Sequence, residues 1–355
     1  MTQLSDYTTL GLGGPAKNFV TASSESDLVS AVRAADATGE PMLVLGGGSN
    51  LVIADDGFPG TVILVASRGV DISASGDLAE VTVAAGEPWD STVAATVDAG
   101  LAGLECLSGI PGSTGATPVQ NVGAYGQEVA ESIVSVRAFD RSSGDIVVLA
   151  KDECRFAYRD SLFKSGEPGR YVVTSVTFRL HADSLSRPVK YAELAAALGV
   201  EMGERAPVGE VRSAVVKIRA RKGMVLDPGD PDTRSAGSFF TNPVITPGQF
   251  AHVEKVASSL ASVTATGRPV PGFPAGSGDL VKVPAAWLIE HAGFAKGYGA
   301  PGPARVSSKH TLALTNADGA TTADLLALAR EIVAGVHATF GVTLVPEPIL
   351  IGASL

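Results

Sequence analysis

The sequence predicts an α+β chain of three domains, and three observations carry that reading. Its 355 residues suit two to three domains at roughly 150 residues each. Hydrophobic residues make up 45% of the chain against 18% charged, enough apolar surface for large cores and too little charge for disorder. The pattern also changes along the chain. Strand and helix alternate over the first seventy residues, period-two segments dominate the middle third, and helices return near residue 208.

The elements follow in order. Lys17–Ala22 is extended in character. Ser24 stands three residues before Asp27 as a capping-box-like start, and Leu28, Val29, Val32 and Ala35 follow at helical spacing up to Gly39. Pro41–Leu45 is a short apolar run, as a buried strand would be. It leads directly into Gly46-Gly47-Gly48-Ser49-Asn50, and Thr61–Ala66 is the next strand. In the middle third, Ala79–Ala84, Ser135–Asp140, Asp145–Ala150 and Tyr171–Leu180 read as strands of a mostly antiparallel sheet. A helix is expected from Val208, with Val211, Val215 and Ile218 on the same face and Gly223 as its stop. The polar, proline-containing stretch LDPGDPDTRS then marks the way into a third domain. That domain should hold helices near Pro247–Ala261 and Val283–His291 and a last helix from about Thr322 to Phe340, closed by Gly341. Val342–Val345 reads as a closing strand.

Charge and cysteine usage exclude several classes. The 37 acidic against 27 basic side chains give a net charge of −10, so no phosphate-neutralising patch for nucleic acid is expected. No apolar stretch reaches ~18 residues without a polar break, and MTQLSDYTTL is no signal peptide. A cytoplasmic chain without membrane contact is expected. Cys106 and Cys154 form no CxxC and read as small buried hydrophobes in a reducing setting. The five histidines show no metal-ligand spacing, so no metal is expected.

Gly11-Leu12-Gly13-Gly14-Pro15-Ala16 fits a GxGxxA dinucleotide fingerprint, but no buried strand precedes it and no helix follows, so it reads as a turn. The Gly46–Asn50 cluster follows a buried strand and could present backbone N–H groups to an anion. A tight turn is the commoner explanation of one such cluster. A second glycine-rich segment, Gly109–Gly126, changes the balance, because two glycine-lined loops could clamp an elongated diphosphate such as that of a flavin dinucleotide. Arg212, Lys217, Arg219, Arg221 and Lys222 form either a solvated helix face or a local funnel for a polyanionic small molecule. Ser238, Arg159 and Glu347 sit in unusual local settings. Singly they could be a turn serine, a partner of Asp160 and a surface glutamate, and no GxSxG elbow makes Ser238 a hydrolase nucleophile.

At these residues the sequence resembles the UDP-N-acetylenolpyruvoylglucosamine reductases (MurB), flavoenzymes of peptidoglycan precursor synthesis. The carrying segments are VLGGGSNLVIADDGFPGTVI, SGIPGSTGATPVQNVGAYGQEV, CRFAYRDSLFK, AGSFFTNPV, AAWLIEHAGFAKG and PEPILIG, in the family's order and spread over nearly the whole chain. The resemblance implies a two-domain FAD-binding unit of the vanillyl-alcohol-oxidase-like (PCMH-type) fold, residues 1–68 and 69–222, the latter joined by the C-terminal strand in 341–355. A third, α/β substrate-binding domain would span 223–340.

The resemblance also implies the chemistry: non-covalent FAD, NADPH as co-substrate, and a UDP-sugar whose enolpyruvyl ether is reduced to a lactyl ether, in a monomer. Ser238 would donate the proton, and Arg159 and Glu347 would stabilise the enolate-like carboxylate. Glu347, beside that carboxylate, is expected to stay protonated. Gly46, Gly47, Gly48, Ser49, Asn50, Gly112, Ser113, Thr114, Gly123, Ala124, Tyr125 and Arg219 map to FAD binding. Tyr191 would close over the UDP-sugar, as in the family's longer subtype, with Lys222 on a phosphate and Asn242, Lys309 and His310 also facing substrate. Thr241 and Pro348-Ile349 depart from the family pattern. An FAD-linked oxidase of the same superfamily would not need Ser238 or Glu347 and often attaches flavin through a histidine or cysteine, which neither glycine loop offers. A non-catalytic UDP-sugar binder would be expected to have lost the proton donor or the flavin loops.

Overall fold

Residues 1–264, 269–276 and 278–355 are described by the structure, a computed structural model. By their internal contacts they form two units. The first comprises Met1–Thr2, Ala16–Gly48 and Pro59–Arg221, and the second Gln3–Pro15, Ser49–Phe58 and Lys222–Leu355. Residues 1–68 and 69–222 therefore fall mostly in one unit, and 341–355 lie with 223–340 instead of with 69–222.

In the first unit, Leu78–Ala84 buries Ala79, Val81 and Val83 and exposes Leu78, Glu80 and Thr82, the period-two pattern of a strand with one wet face. It pairs antiparallel with Tyr171–Ala182, which pairs with Ile133–Asp140 and that in turn with Asp145–Ala150. The antiparallel sheet expected for the middle third is therefore present. An additional edge strand, Val70–Ser75, is exposed along its whole length and so carries no burial pattern that would reveal it in the sequence. A second sheet joins Ala16–Ala22, Phe58–Val65 and Met42–Leu45. Its helix, Glu25–Thr38, is capped as expected by the Ser24 hydroxyl, which accepts from the Asp27 N–H, and stopped by Gly39 at φ +66°. Glu25 and Asp36 of that helix form ion pairs with Arg137 and Arg141 of the larger sheet region. The helix Val208–Arg221 buries Val211, Val215 and Ile218 against Val189 and Leu194.

In the second unit, Thr322–Phe340 spans the residues its 3.6-residue periodicity predicts. It buries Leu325, Leu328, Ala329, Ile332, Val336 and Phe340, begins in a Thr321–Asp324 capping box and ends at Gly341 with φ +67°. Its core partners include Phe239, Phe240, Leu288 and Ile289. The closing strand is not Val342–Val345 but Ile349–Ile351, parallel to Leu51–Ile53. Val342 and Leu344 are buried and Val345 is exposed, so the alternation is real, but it packs side chains without a ladder. Pro346 and Pro348 have no N–H to donate, and pairing starts only beyond them. The Gly11–Ala16 turn is a packing device, as its context suggests. A Cβ on Gly14 would lie 2.0 Å from the Asp55 carbonyl oxygen. Among the described residues no helix is long and apolar enough to cross a membrane.

Asp55 also holds the last helix. Its two carboxylate oxygens accept from the N–H groups of Thr322 and Ala323 at 2.8 and 3.0 Å, where the helix dipole favours an anion. Asp55→Ala should lower stability by about 1–2 kcal/mol, read as a shift of the urea midpoint at constant m-value. An unmoved midpoint would contradict the cap.

Candidate active site

The two glycine loops of the first unit are pressed together. A Cβ on Gly46 would lie 2.3 Å from the Ser113 hydroxyl oxygen, and one on Gly47 would lie 2.6 Å from the Gly112 Cα. At Gly47, where the neighbour is backbone, only glycine permits that approach. The second loop is pinned from behind: the Thr114 N–H donates to Glu87 O, and the Gly115 N–H donates to Ala85 O, both at 2.8 Å. Upstream, Gly109 N–H donates to Asp90 at 2.6 Å. Two backbone segments without side chains between them form a cradle of the kind a diphosphate needs, and they fit FAD. Neither loop carries a histidine or cysteine.

Further along the same loop, Gly123–Ala124 and Gln127–Glu128 form a hairpin whose tip residues both have positive φ, Tyr125 at +51° and Gly126 at +80°. Arg159 lies against its base and donates to the Gly123 carbonyl at 2.8 Å and to the Asn121 carbonyl at 3.5 Å. Arg159 is itself at φ +55°, with its carbonyl accepting from Lys164 Nζ at 3.0 Å. The Tyr125 ring meets Tyr191 edge-on at 5.3 Å, and its phenol lies beside Arg219. Burial pushes the Tyr125 phenol up to about 12 despite the opposing guanidinium, and burial lowers the pKa of Arg219. The structure thus brings Arg159, Gly123, Ala124, Tyr125, Arg219 and Tyr191 into one cluster, with the Tyr125 side chain directed at Arg219 and Tyr191.

In the second unit, Ser238 and Glu347 come from segments that touch. The Glu347 N–H donates to the Phe239 carbonyl at 2.9 Å, and Phe240 bridges Pro346. On the other side of Glu347, the Ile349 N–H donates to the Asn50 carbonyl at 3.0 Å, and the Asn50 side-chain amide reaches the Glu347 carbonyl at 3.4 Å. Ser238 and Glu347 are half-buried. Asn50, Ser238 and Glu347 therefore lie on three adjacent segments. The substrate residues are less uniform. Asn242 uses its side-chain oxygen to accept the Ala285 N–H at 2.9 Å and so caps Ala285–His291. Lys309 is ion-paired with Asp230, which raises its pKa. The N–H groups of Lys309 and His310 both donate to the Ser307 hydroxyl. Lys222 opens this unit at the end of the helix Val208–Arg221.

The basic run does not act as one funnel. Arg212 is a bidentate partner of Asp90 at 2.6 and 2.9 Å, and Arg219 is buried. Burial acts to raise the Asp90 pKa, but the Arg212 and Gly109 hydrogen bonds prevail and lower it. Sequence reasoning missed Asp90, which no local motif distinguishes, and Asn121, whose buried side chain binds Glu128 and Ala157 O. Both cysteines are buried with thiols pushed up to about 12, by burial first, which makes them inert. Among the described residues no cluster of three metal-ligating side chains occurs.

Fold and loops together define a flavoprotein. Residues 16–150 match the FAD binding domain, and residues 230–351 match the C-terminal domain of UDP-N-acetylenolpyruvoylglucosamine reductase. The reductase of that name from Streptomyces coelicolor is 57% identical over 99% of this chain and 90% of its own length. That from Thermobifida fusca is 56% identical over 99% and 97%. The crystal structure of MurB from Thermus caldophilus superposes with a TM-score of 0.65 at 27% identity, covering 99% of this chain and 97% of that one. The chain belongs to the UDP-N-acetylenolpyruvoylglucosamine reductase family.

Gly47→Ala should weaken FAD binding at least tenfold, because the new methyl collides with the backbone of Gly112 rather than with a movable side chain. Flavin titration of the apoprotein reads this directly. Unchanged affinity would contradict the cradle.

Proposed function

We propose that this chain reduces UDP-N-acetylenolpyruvoylglucosamine to UDP-N-acetylmuramate at the expense of NADPH, as a cytoplasmic monomer. FAD, which the Gly46–Gly48 and Gly112–Thr114 loops would hold, would supply the hydride for the terminal enol carbon, with NADPH as the reductant. The protein must then manage the negative charge that develops on the adjacent carbon and its carboxylate. Arg159, whose guanidinium and backbone are both fixed, offers a preorganised cation to that carboxylate, the kind of stabilisation that usually contributes most. Glu347 as a protonated carboxyl donates a second hydrogen bond. Ser238 gives its hydroxyl proton to the carbanionic carbon, so that hydride and proton together saturate the double bond. A serine hydroxyl is a weak acid and serves only a strongly basic centre of this kind.

The observation that carries the reading is the bond from the Glu347 N–H to the Phe239 carbonyl, because it supports a carboxyl and a hydroxyl acting on one reacting group. Tyr191 and Lys222 are the groups proposed to hold the UDP moiety, and the inert buried thiols fit a reducing compartment.

Ser238→Ala separates the half-reactions. NADPH should reduce the flavin within about threefold of the normal rate, while anaerobic reoxidation by the enolpyruvyl substrate slows by about 10²–10⁴. A parallel fall of both half-reactions would remove Ser238 from proton donation. Reoxidation by oxygen as fast as by substrate would favour an oxidase instead.

A further inference from the structure

The tip of the hairpin Gly123–Ala124/Gln127–Glu128 departs from ordinary turn chemistry. Positive φ at both tip residues normally selects Asn-Gly or Gly-Gly, and a bulky residue there persists only where its surroundings hold it. Two contacts do so for Tyr125. Its phenol lies beside Arg219, a residue only 7% exposed. The helix that carries Arg219 is fixed by Val211, Val215 and Ile218 in the core. The Tyr125 ring stands edge-on to Tyr191, with an interplanar angle of 87°, the arrangement aromatic quadrupoles prefer.

Gly126 completes the contact. A Cβ there would lie 2.8 Å from the Lys190 Cβ, so the residue before Tyr191 rests directly on the hairpin backbone. The chain leading to Tyr191 is pinned as well. The Arg187 N–H donates to the buried Glu105 carboxylate at 2.9 Å, and the Val189 N–H donates to the Glu204 carbonyl at 2.8 Å. Lys190 adds an exposed ion pair to Glu131. Tyr191 itself is 42% exposed. Its ring leans on Tyr125 while a large part of its surface remains open to a ligand.

We propose that Tyr125 and Gly126 form the seat that positions Tyr191 for the UDP-sugar. The inference rests on the reading of Tyr191 as the residue that closes over that substrate. Tyr125 is then a positioning residue that acts through Tyr191.

The test is a double-mutant cycle on the dissociation constant of UDP-N-acetylenolpyruvoylglucosamine, read from the flavin absorbance of FAD-saturated enzyme without NADPH. Tyr191→Ala and Tyr125→Ala should each weaken binding roughly tenfold, within the worth of one aromatic pair. The double variant should be no more than about twofold weaker than either single one. Tyr125→Phe keeps the ring and should stay within about threefold of the unsubstituted enzyme. Gly126→Ala removes no aromatic group, yet it should weaken binding about tenfold by displacing Lys190. If Tyr191→Ala binds normally, the reading of Tyr191 fails and the seat with it. If Tyr191→Ala binds weakly but Tyr125→Ala normally, or if their effects multiply, the seat alone is overturned. Should Tyr125→Ala not fold, normal binding by Gly126→Ala overturns it equally.

Discussion

Pro346-Glu347-Pro348 contains a single amide hydrogen, because proline has none. That one donor goes to the Phe239 carbonyl, and the geometry of the second unit's candidate site depends on it. A half-buried N–H needs a partner, and only one residue of the three can supply the bond, so the alignment of Glu347 with the Ser238–Phe240 segment cannot slip. A shift of one residue would put a proline, which has no N–H, at the donor position. On the other side, the Ile349 N–H to the Asn50 carbonyl starts the parallel ladder with Leu51–Ile53. The segments of Ser238 and Glu347 and the end of the GGGSN loop are thus registered by backbone bonds.

The first unit solves its problem by steric exclusion. Gly47 lets two backbones meet where a Cβ would collide with Gly112, and Gly46 leaves room for the Ser113 hydroxyl. Strain gathers next to them. Among the described residues, the non-glycine positions with positive φ are Asn121, Tyr125, Arg155 and Arg159, and three of these four build the hairpin and its arginine. Such strain costs of order 1–3 kcal/mol per residue and survives only where neighbours enforce it. Here Lys164 holds the Arg159 carbonyl, Asn121 ties the loop to Glu128, and the Tyr191 ring packs on Tyr125. The large sheet and the helix Val208–Arg221 supply the rigid support that makes this affordable.

Much of this was legible in the sequence where the signal is local. Thr321 and Asp324, the apolar stripe and Gly341 define the last helix from end to end, and Ser24 with Gly39 does the same for the first. The glycine loops and the family motifs pointed to the flavin. What was not legible depends on partners far away in the chain. Val342–Val345 alternates like a strand, yet the ladder belongs to Ile349–Ile351, whose partner lies almost three hundred residues earlier. Arg212 and Arg219 looked like one basic face until Asp90 and Tyr125 claimed them. Asn242 reads as a substrate ligand, but its oxygen caps a helix whose first amide is at Ala285. Gly126 is one glycine among five in its loop, and only the proximity of Lys190 distinguishes it.

The most direct test of the shared register compares Ser238→Ala, Glu347→Ala and the double variant in anaerobic single-turnover reoxidation of the reduced flavin by UDP-N-acetylenolpyruvoylglucosamine. Two groups acting on the same developing charge should behave as a unit, so the double variant should be no more than about threefold slower than the slower single one. Losses that multiply would mean that the hydroxyl and the carboxyl work on separate events, and the account built on the Glu347 amide would be wrong.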